Sequence, residues 1–289
     1  MNIMLMKNQH DKSSDLPIEI FGRIQKIFKD KNWPIEDSFE ISVFDDFCNM
    51  LSTLTPEEQN LLLNLTENFL WVQDREYATY FIKSFDLFIN NFQFGNRKNI
   101  CICPLLPEAD FGKSKSSNSL LYIIKSYLDS IRRRYPDFNI TYKDSPQNVN
   151  IEAIKTTCVL CLIDDFIGTG ETAFSAIEYF LNQGVSSTQI AIVSLVSMQE
   201  GISELQKNSC FPFVSTICNK GISSGGRDTK KEQEIMSSLE TKINVNDDFK
   251  FGYKSSEALV KMMRTPNNTF PIYWLKCPKN AYAPFPRSR

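Results

Sequence analysis

VLCLIDDFIGTGET, residues 159–172, joins an apolar run to two adjacent carboxylates, a loop with glycine and threonine, and the start of a helical pattern. The apolar run predicts a buried strand over 158–163, so Asp164 and Asp165 would stand at its carboxyl end. A helix is predicted from about 172 to 182. Because the loop leads directly into this helix, the unpaired N–H groups of the first helical turn would form a binding site for an anion.

The loop between strand and helix has the composition of a phosphate site. Glycine lets the backbone approach a ligand closely, and threonine hydroxyls add hydrogen bonds to phosphate oxygens. The candidate phosphate-binding residues are Gly168, Thr169, Gly170, Glu171 and Thr172. Asp164 and Asp165 would repel a phosphate, so we expect them to face hydroxyl groups or a metal-bound diol. A ligand with a phosphate on one side and a diol on the other is a ribose 5-phosphate. The alternative is a plain strand–turn–helix junction with Asp165 and Thr169 as capping residues.

Short apolar runs alternate with helical patterns on both sides of this stretch. Strands are predicted at 100–106, 138–142, 189–197 and 213–218, and a further helix at 119–133. This alternation predicts an α/β fold with a parallel sheet covered on both faces. Ligands of such sheets bind beyond the carboxyl ends of the strands, so we expect the loop 108–117 to face the same crevice as the two acids.

The first third of the chain has a different, helical pattern. Thr55 and Pro56 predict a helix start followed by acids, and apolar residues then recur at spacings of three and four as far as residue 88. We therefore divide the chain into a helical N-terminal region, residues 1–98, and an α/β domain, residues 99–289.

Composition limits the classes of function. The formal net charge of -2 removes the usual electrostatic signature of a protein that binds a phosphate backbone, although a local basic face stays open. No long apolar run and no secretory signal are present, so we predict a cytoplasmic protein with no membrane partner. The single histidine, His10, lies in the N-terminal leader, which argues against triads and metal centres that need an imidazole in a core site.

The cysteines predict buried thiols. Eight cysteines without a secretory signal argue against a disulfide framework. Cys158 and Cys161 have the CxxC spacing of a metal site, but in a strand they would point to opposite faces. We predict buried cysteines without a metal, and a zinc site is the alternative.

Residues 160–172 resemble the phosphoribosyl pyrophosphate motif of type I phosphoribosyltransferases. They have four apolar residues, two acids, two apolar residues and then x-Thr-Gly-x-Thr. In that family the acids hold the ribose 2- and 3-hydroxyls and the following loop holds the 5-phosphate. By this resemblance Asp164 and Asp165 are the catalytic residues and the ligands of Mg²⁺, and residues 168–172 bind the phosphate. The acids would also favour the cation that develops at C1 in the transition state.

Two further segments are similar to parts of the same family. The loop 108–114 stands one strand–helix unit before the acids, where type I enzymes have their pyrophosphate loop. Its Lys113 and Ser114 would bind pyrophosphate, with a solvated surface loop as the alternative. Phe251 and Tyr253 resemble the late strand of purine salvage transferases, where an aromatic ring stacks on the base, with a place in the core as the alternative.

The chain departs from purine salvage enzymes at two positions. Ser256 stands where they have a magnesium-binding aspartate, with Glu257 as a substitute, and Gly168 stands where they have a base-directed aspartate. A standard purine salvage reaction is therefore not expected. Arg227 follows the strand predicted at 213–218, so it is a further candidate for binding pyrophosphate or a base, with a surface turn as the alternative.

Residues 99–289 most resemble the phosphoribosyltransferase-like effector domains of bacterial conflict and anti-phage defence systems. The resemblance rests on Gly112-Lys113-Ser114, the acid motif, Phe251-Gly252-Tyr253 and the tail 265–274. It implies an enzyme that binds phosphoribosyl pyrophosphate, or a related ribosyl phosphate or nucleotide, with Mg²⁺ and acts at ribose C1 as a toxic effector. Some relatives are encoded beside retron reverse transcriptases, which implies a reverse transcriptase–nucleic acid complex as partner. A ligand sensor without turnover, a structural subunit and an oligomer stay open.

Overall fold

The computed structural model describes residues 16–35 and 42–287, so the leader with His10 lies outside the described residues. The helices and strands are, in chain order, α1 (Ile18–Asp30), α2 (Val43–Ser52), α3 (Pro56–Glu67), β1 (Leu70–Trp71), α4 (Tyr77–Asn91), β2 (Asn99–Pro104), α5 (Ser116–Ser126), α6 (Leu128–Arg134), β3 (Asn139–Tyr142), α7 (Ile151–Thr156), β4 (Cys158–Ile167), α8 (Glu171–Leu181), β5 (Ile190–Met198), α9 (Gln199–Lys207), β6 (Pro212–Cys218), α10 (Thr229–Lys242) and β7 (Val260–Lys261). From β2 to α10 the strands alternate with helices, as the apolar pattern predicted.

A five-stranded parallel sheet in the order β3-β2-β4-β5-β6 forms the centre of the fold. The short strands β1 and β7 form a separate parallel pair. This architecture confirms the predicted α/β class with a parallel sheet. Because all five strands run in one direction, the loops that follow β2 and β4 open at the same edge of the sheet.

Side chains of β4 alternate between two hydrophobic clusters, one on each face of the sheet. Val159, Cys161 and Ile163 pack with the aromatic residues of α4, while Leu160 packs with α8. Cys158 belongs to the same cluster as Leu160, so it points to the face opposite Cys161, as the alternation predicted. Burial on both faces explains why this strand is continuously apolar.

The N-terminal helices confirm the predicted helical region, and they pack against later parts of the chain. Trp33, Phe47 and Phe69 surround Phe285, with ring centroids 6.3, 5.7 and 5.2 Å from its own. Helix α4 covers one face of the main sheet with side chains that include Phe85. The division at residue 98 stays a prediction, and residues from both sides of it share these two clusters.

Two predicted elements have different bounds in the structure. β4 continues beyond residue 163 to Ile167, because β5 pairs with it as far as Ser197. The helix predicted at 119–133 is divided into α5 and α6, since Tyr127 between them has φ -106° and ψ 5°. No helix of the described ranges is long and apolar enough to cross a membrane.

Candidate functional site

The two acids lie inside the last part of β4 rather than after it. β2 ends at Pro104, opposite Ile163, while β5 continues to pair with β4. Beyond Ile163, β4 therefore has a partner strand on one side only, and a crevice opens on the other. Asp164 and Asp165 fall in this part of the strand, and the alternation of β4 sends their side chains to opposite faces.

The two acids have different surroundings. Asp165 is buried, and its Oδ2 accepts a hydrogen bond from the Tyr77 hydroxyl at 3.1 Å. Asp164 is half-buried, and its Oδ1 accepts the backbone N–H of Asp165 at 2.9 Å and the hydroxyl of Ser116 at 3.5 Å. Although their side chains face different ways, both residues line one cavity of about 450 Å³. This volume is within the range of small-molecule sites.

The carboxyl groups of this pair have perturbed acidity. Burial, together with repulsion by Asp165, raises the pKa of Asp164 well above the usual value of a carboxyl group. Burial also raises the pKa of Asp165, while the hydroxyl groups of Ser116 and Tyr77 act in the opposite direction. Two carboxylates that are kept close together despite this cost are typical of a functional site rather than a stabilising contact.

The loop after β4 forms the second wall of the cavity. Gly170 stands at the N-cap of α8 with φ 86°, and the helix begins at Glu171, one residue before the predicted start. Residues 168–172 all line the cavity. The N–H groups of the first turn of α8 and the positive end of its dipole therefore lie at this wall, which suits a phosphate.

Close contacts at three glycines hold this loop in place. A Cβ at Gly168 would lie 2.4 Å from side-chain atoms of Asn268, and a Cβ at Gly170 would lie 2.9 Å from the carbonyl oxygen of Gly201. A Cβ at Gly201 would in turn lie 2.4 Å from the carbonyl oxygen of Gly168. The loop thus packs directly on the first turn of α9, with no room for a larger residue at these three positions.

A further wall comes from two segments near the C-terminus that bring Arg264 and Arg287 to the cavity. The Thr265 hydroxyl donates to the carbonyl oxygen of Phe285 at 2.8 Å, which holds the two segments together. Nη1 of Arg287 is buried and has no hydrogen-bond partner among the described residues. Burial and repulsion by Arg264 lower the pKa of Arg287. Two guanidinium groups at one wall form a second site suited to an anion.

Most of the residues predicted from the acid motif meet at this cavity. Tyr253, the aromatic residue of the late segment, also lines it. The predicted residues that line the cavity are Asp164, Asp165, Gly168, Thr169, Gly170, Glu171, Thr172 and Tyr253. In addition, Lys254 forms an ion pair with Glu171, which joins the late segment to the start of α8.

The predicted pyrophosphate loop contributes different residues from those expected. Lys113 and Ser114 do not line the cavity, and the Lys113 amino group pairs with Asp110 at 3.0 Å with 60% of its side chain exposed. Lys115 and Ser116, which immediately follow, line the cavity instead. The start of α5 at Ser116 turns the chain toward the acids only after Lys113.

Arg227 and Phe251 do not line the cavity either. Nε of Arg227 donates to the Glu232 carboxylate at 2.6 Å, so this guanidinium group stabilises the start of α10. Phe251 packs beside Phe270, with ring centroids 6.3 Å apart. It lies at the edge of the hydrophobic cluster that contains Trp33, Phe47 and Phe285. Core packing, the alternative interpretation of Phe251, describes its position in the structure.

The segment 253–257 directs its polar side chains to neighbouring loops. Ser256 is buried and accepts a hydrogen bond from the side-chain amide of Asn268 at 3.1 Å. Glu257 is also buried, and its carboxylate accepts the backbone N–H of Ser223 at 2.7 Å. Glu257 does not line the cavity, so it is not placed to substitute for the magnesium-binding aspartate of purine salvage enzymes.

The sequence did not single out Lys115, Ser116, Arg264 and Arg287, which line the cavity, or Tyr77, which bonds to Asp165. Lys115 follows the predicted pyrophosphate loop and Arg264 precedes the tail 265–274, so both stand beside segments with a recognisable pattern. Arg287 and Tyr77 have no local signal, because only tertiary contacts bring the C-terminal tail and the start of α4 to the acids.

The acid pair fits a magnesium ion that protein and ligand hold jointly. Mg²⁺ takes oxygen ligands, commonly one or two carboxylates together with substrate phosphates and water. Asp164 and Asp165 carry such oxygens and both line the cavity, and the repulsion that, after burial, raises the pKa of Asp164 would be relieved by a cation. Within the described ranges, no group of three His, Cys, Asp or Glu residues could hold a metal ion.

The fold and this site define a phosphoribosyltransferase-like protein. A family model described as PRTase-CE matches residues 44–287, and the chain therefore belongs to the PRTase-CE family. Among solved structures, the AQ2163 protein from Aquifex aeolicus is similar at 13% sequence identity, over 64% of this chain and 87% of that chain, with a TM-score of 0.31. No match to a curated protein was found.

Proposed function

We propose that the chain binds phosphoribosyl pyrophosphate, or a related ribosyl phosphate or nucleotide, together with Mg²⁺ and acts at ribose C1. The observation that carries this proposal is the arrangement of one cavity. The cavity is lined by the two acids, by the anion site at the start of α8 and by a second anion site at Arg264 and Arg287. A ribose with a phosphate at C5 and a pyrophosphate at C1 presents hydroxyls and two anionic groups, which this combination of residues suits.

Each wall then has a distinct role. The N–H groups and hydroxyls of residues 168–172 bind the 5-phosphate. Asp164 and Asp165 receive the ribose hydroxyls and supply oxygen ligands to Mg²⁺, which when bound neutralises charge on the pyrophosphate. Arg264 and Arg287, rather than Lys113, bind the pyrophosphate, because guanidinium groups make paired hydrogen bonds to phosphate oxygens.

The reaction breaks the bond between C1 and the pyrophosphate oxygen, and the pyrophosphate leaves with the electron pair. Positive charge develops on C1 and the ring oxygen, and the acid pair stabilises it electrostatically. An acceptor with a lone pair then forms the new bond to C1. No step needs an imidazole.

The test is titration calorimetry of the full chain with phosphoribosyl pyrophosphate, with and without Mg²⁺. Wild type should bind in a magnesium-dependent manner, and Asp164→Asn/Asp165→Asn should lose at least about tenfold in affinity, since it removes two charged hydrogen-bond acceptors. Asp247→Asn/Asp248→Asn is the matched control, because that adjacent pair is exposed and does not line the cavity. Equal binding by wild type and the Asp164/Asp165 variant would refute the proposal.

A ligand sensor without turnover is the second candidate, and the position of Glu257 favours it. The carboxylate of Glu257 is committed to Ser223, so the cavity carboxylates among the described residues are Asp164, Asp165 and Glu171. The site therefore lacks the late acidic residue of purine salvage enzymes. Release of pyrophosphate from the bound ligand distinguishes the candidates, because a sensor would bind the ligand and leave it intact.

We extend the proposal to a toxic effector in bacterial anti-phage defence, with a retron-type reverse transcriptase–nucleic acid complex as partner. The support for this extension is the sequence resemblance alone. Expression in a bacterial host challenged with phage tests it: wild type should protect the culture, and the Asp164/Asp165 variant should not. Protection by both would separate the defence role from the cavity.

A further inference from the structure

Tyr77, the first residue of α4, is fully buried behind the acid pair. Its hydroxyl donates to Oδ2 of Asp165 at 3.1 Å and accepts the backbone N–H of Met263 at 2.6 Å. A buried hydroxyl needs partners for its proton and its lone pairs, and Tyr77 has both. Tyr77 itself does not line the cavity.

The two hydrogen bonds of this hydroxyl join three distant parts of the chain. Tyr77 belongs to the N-terminal third, Asp165 to the central strand β4, and Met263 to the segment that follows β7. Arg264 is the next residue and lines the cavity. The hydroxyl therefore sets the position of the Asp165 carboxylate relative to the backbone that carries Arg264.

Other contacts hold the segment after β7, and they involve Lys261, whose amino group also interacts electrostatically with Asp165. Trp71 of β1 pairs with Lys261 of β7, and the Lys261 amino group donates to the carbonyl oxygen of Met263 at 2.8 Å. These contacts fix the backbone on which Met263 lies. Because the Tyr77 hydroxyl bonds to both Met263 and Asp165, it holds the Asp165 carboxylate at a defined position relative to this backbone.

We propose that Tyr77 is a positioning residue, which holds the Asp165 carboxylate in the orientation that receives a ribose hydroxyl. This inference rests on the proposed function, because it assigns the ribose to Asp165. Tyr77 acts through Asp165 and does not touch the ligand. The N-terminal helix α4 is thereby part of the binding site as well as a cover for the sheet.

The test compares two ligands, ribose 5-phosphate and inorganic phosphate, by calorimetry on the full chain with Mg²⁺. Tyr77→Phe keeps the ring in its apolar surroundings, so the variant is expected to fold. It should weaken binding of ribose 5-phosphate about tenfold, the size expected for a hydrogen bond to a charged group. Inorganic phosphate, which has no ribose hydroxyl for Asp165 to receive, should bind as tightly as it does to wild type.

A double-mutant cycle with Asp165→Ala shows whether Tyr77 acts through the acid. In the Asp165→Ala background, Tyr77→Phe should change the affinity for ribose 5-phosphate less than about twofold, because the group that it positions has gone. Tyr273→Phe is the matched control, since Tyr273 is equally buried and its hydroxyl bonds to Thr66. Tyr273 belongs to the hydrophobic cluster that contains Phe285. It should change neither affinity.

The outcomes separate this inference from the proposed function. If wild type binds neither ribose 5-phosphate nor phosphoribosyl pyrophosphate, the proposed function is wrong and the role of Tyr77 with it. If wild type binds and Tyr77→Phe binds equally well, or weakens both ligands alike, or weakens ribose 5-phosphate to the same extent without Asp165, only the positioning role is wrong.

Discussion

At the scale of single residues, three glycines determine the shape of the loop 168–172. Gly170 has φ 86°, a conformation that other residues rarely adopt, and Gly168 and Gly201 are in direct backbone contact. Gly201 lies in α9 and does not line the cavity, so its effect on the loop can be measured without altering a ligand contact.

We predict that Gly201→Ala weakens ligand binding about tenfold and costs about 1–3 kcal/mol of unfolding free energy. The added Cβ would lie 2.4 Å from the carbonyl oxygen of Gly168, so the loop must move. Calorimetry with phosphoribosyl pyrophosphate and urea denaturation measure the two effects. Gly22→Ala is the control, because a Cβ there meets nothing within 4 Å and should stabilise α1 by about 0.5–1 kcal/mol. Unchanged binding by Gly201→Ala would contradict the prediction.

Glu240 gives the folded chain a pH-dependent stability. Its carboxylate is buried and accepts the N–H of Phe251, which has the left-handed φ of 57°. Burial raises the pKa of Glu240 from 4.5 to about 7. Between these values the folded chain keeps a proton that the unfolded chain has lost. The contribution to stability is therefore complete below about pH 4.5 and is lost as the pH rises through about 7.

We predict that wild type loses more unfolding free energy than Glu240→Gln between pH 5 and pH 8. The difference should be about 2–3 kcal/mol, because the loss is about 1.4 kcal/mol per pH unit between the unfolded and folded pKa values of Glu240. Glutamine keeps an acceptor for Phe251 and does not ionise. Urea denaturation of both proteins at the two pH values measures the difference. Parallel pH profiles would show that Glu240 does not titrate in this range.

At the scale of elements, α3 begins with a complete capping box. The Thr55 hydroxyl accepts the N–H of Glu58 at 3.4 Å, and the Glu58 carboxylate accepts the N–H of Thr55 at 2.9 Å. Glu58 also pairs with Lys242 at the end of α10. The cap that the sequence marked with Thr55 and Pro56 thus also joins two helices.

We predict that Thr55→Ala costs about 1 kcal/mol of unfolding free energy, because it leaves the N–H of Glu58 without its acceptor. Thr241→Ala is the control: Thr241 is exposed on α10, and its hydroxyl donates only to the carbonyl oxygen of Ser237. That change should have an effect within about 0.5 kcal/mol. Equal losses in the two variants would mean that the capping box contributes nothing measurable.

The length of β4 determines where the two acids of the site lie. The apolar run predicted a strand up to residue 163, because the acids look like the start of a loop. In the structure β5 extends the ladder to Ile167, and β2 does not. The acids therefore lie on a strand with one open side, where backbone pairing fixes their direction.

At the scale of the whole molecule, the aromatic cluster around Phe285 connects the N-terminal helices to the cavity. Phe285 is 2% exposed and contacts rings from residues 33, 47, 69 and 71. Its carbonyl oxygen accepts the hydroxyl of Thr265, and Arg287 follows two residues later. Packing of N-terminal residues that are distant from the acids in the sequence thus helps to determine where a cavity arginine lies.

We predict that Phe285→Ala costs about 3–5 kcal/mol of unfolding free energy, because it removes a fully packed aromatic side chain and leaves a hole between the two halves of the chain. The same variant should bind phosphoribosyl pyrophosphate more weakly, since the tail with Arg287 loses its anchor. Urea denaturation and calorimetry measure the two effects. Phe211→Ala is the control, because Phe211 is 63% exposed and its removal should be nearly neutral. A small loss at Phe285 would show that the tail packs independently.

The sequence by itself determined the parallel sheet, the helical first third and the glycine-containing loop that follows the two acids. These features depend on neighbours within a few residues, since apolar alternation, caps and glycine turns are local. Only the tertiary structure decided that Arg264 and Arg287 share a cavity with the acids, that Tyr77 bonds to Asp165 and that Lys113 does not line that cavity. Their positions result from packing between segments that lie far apart in the chain, and no local pattern of residue types encodes such contacts.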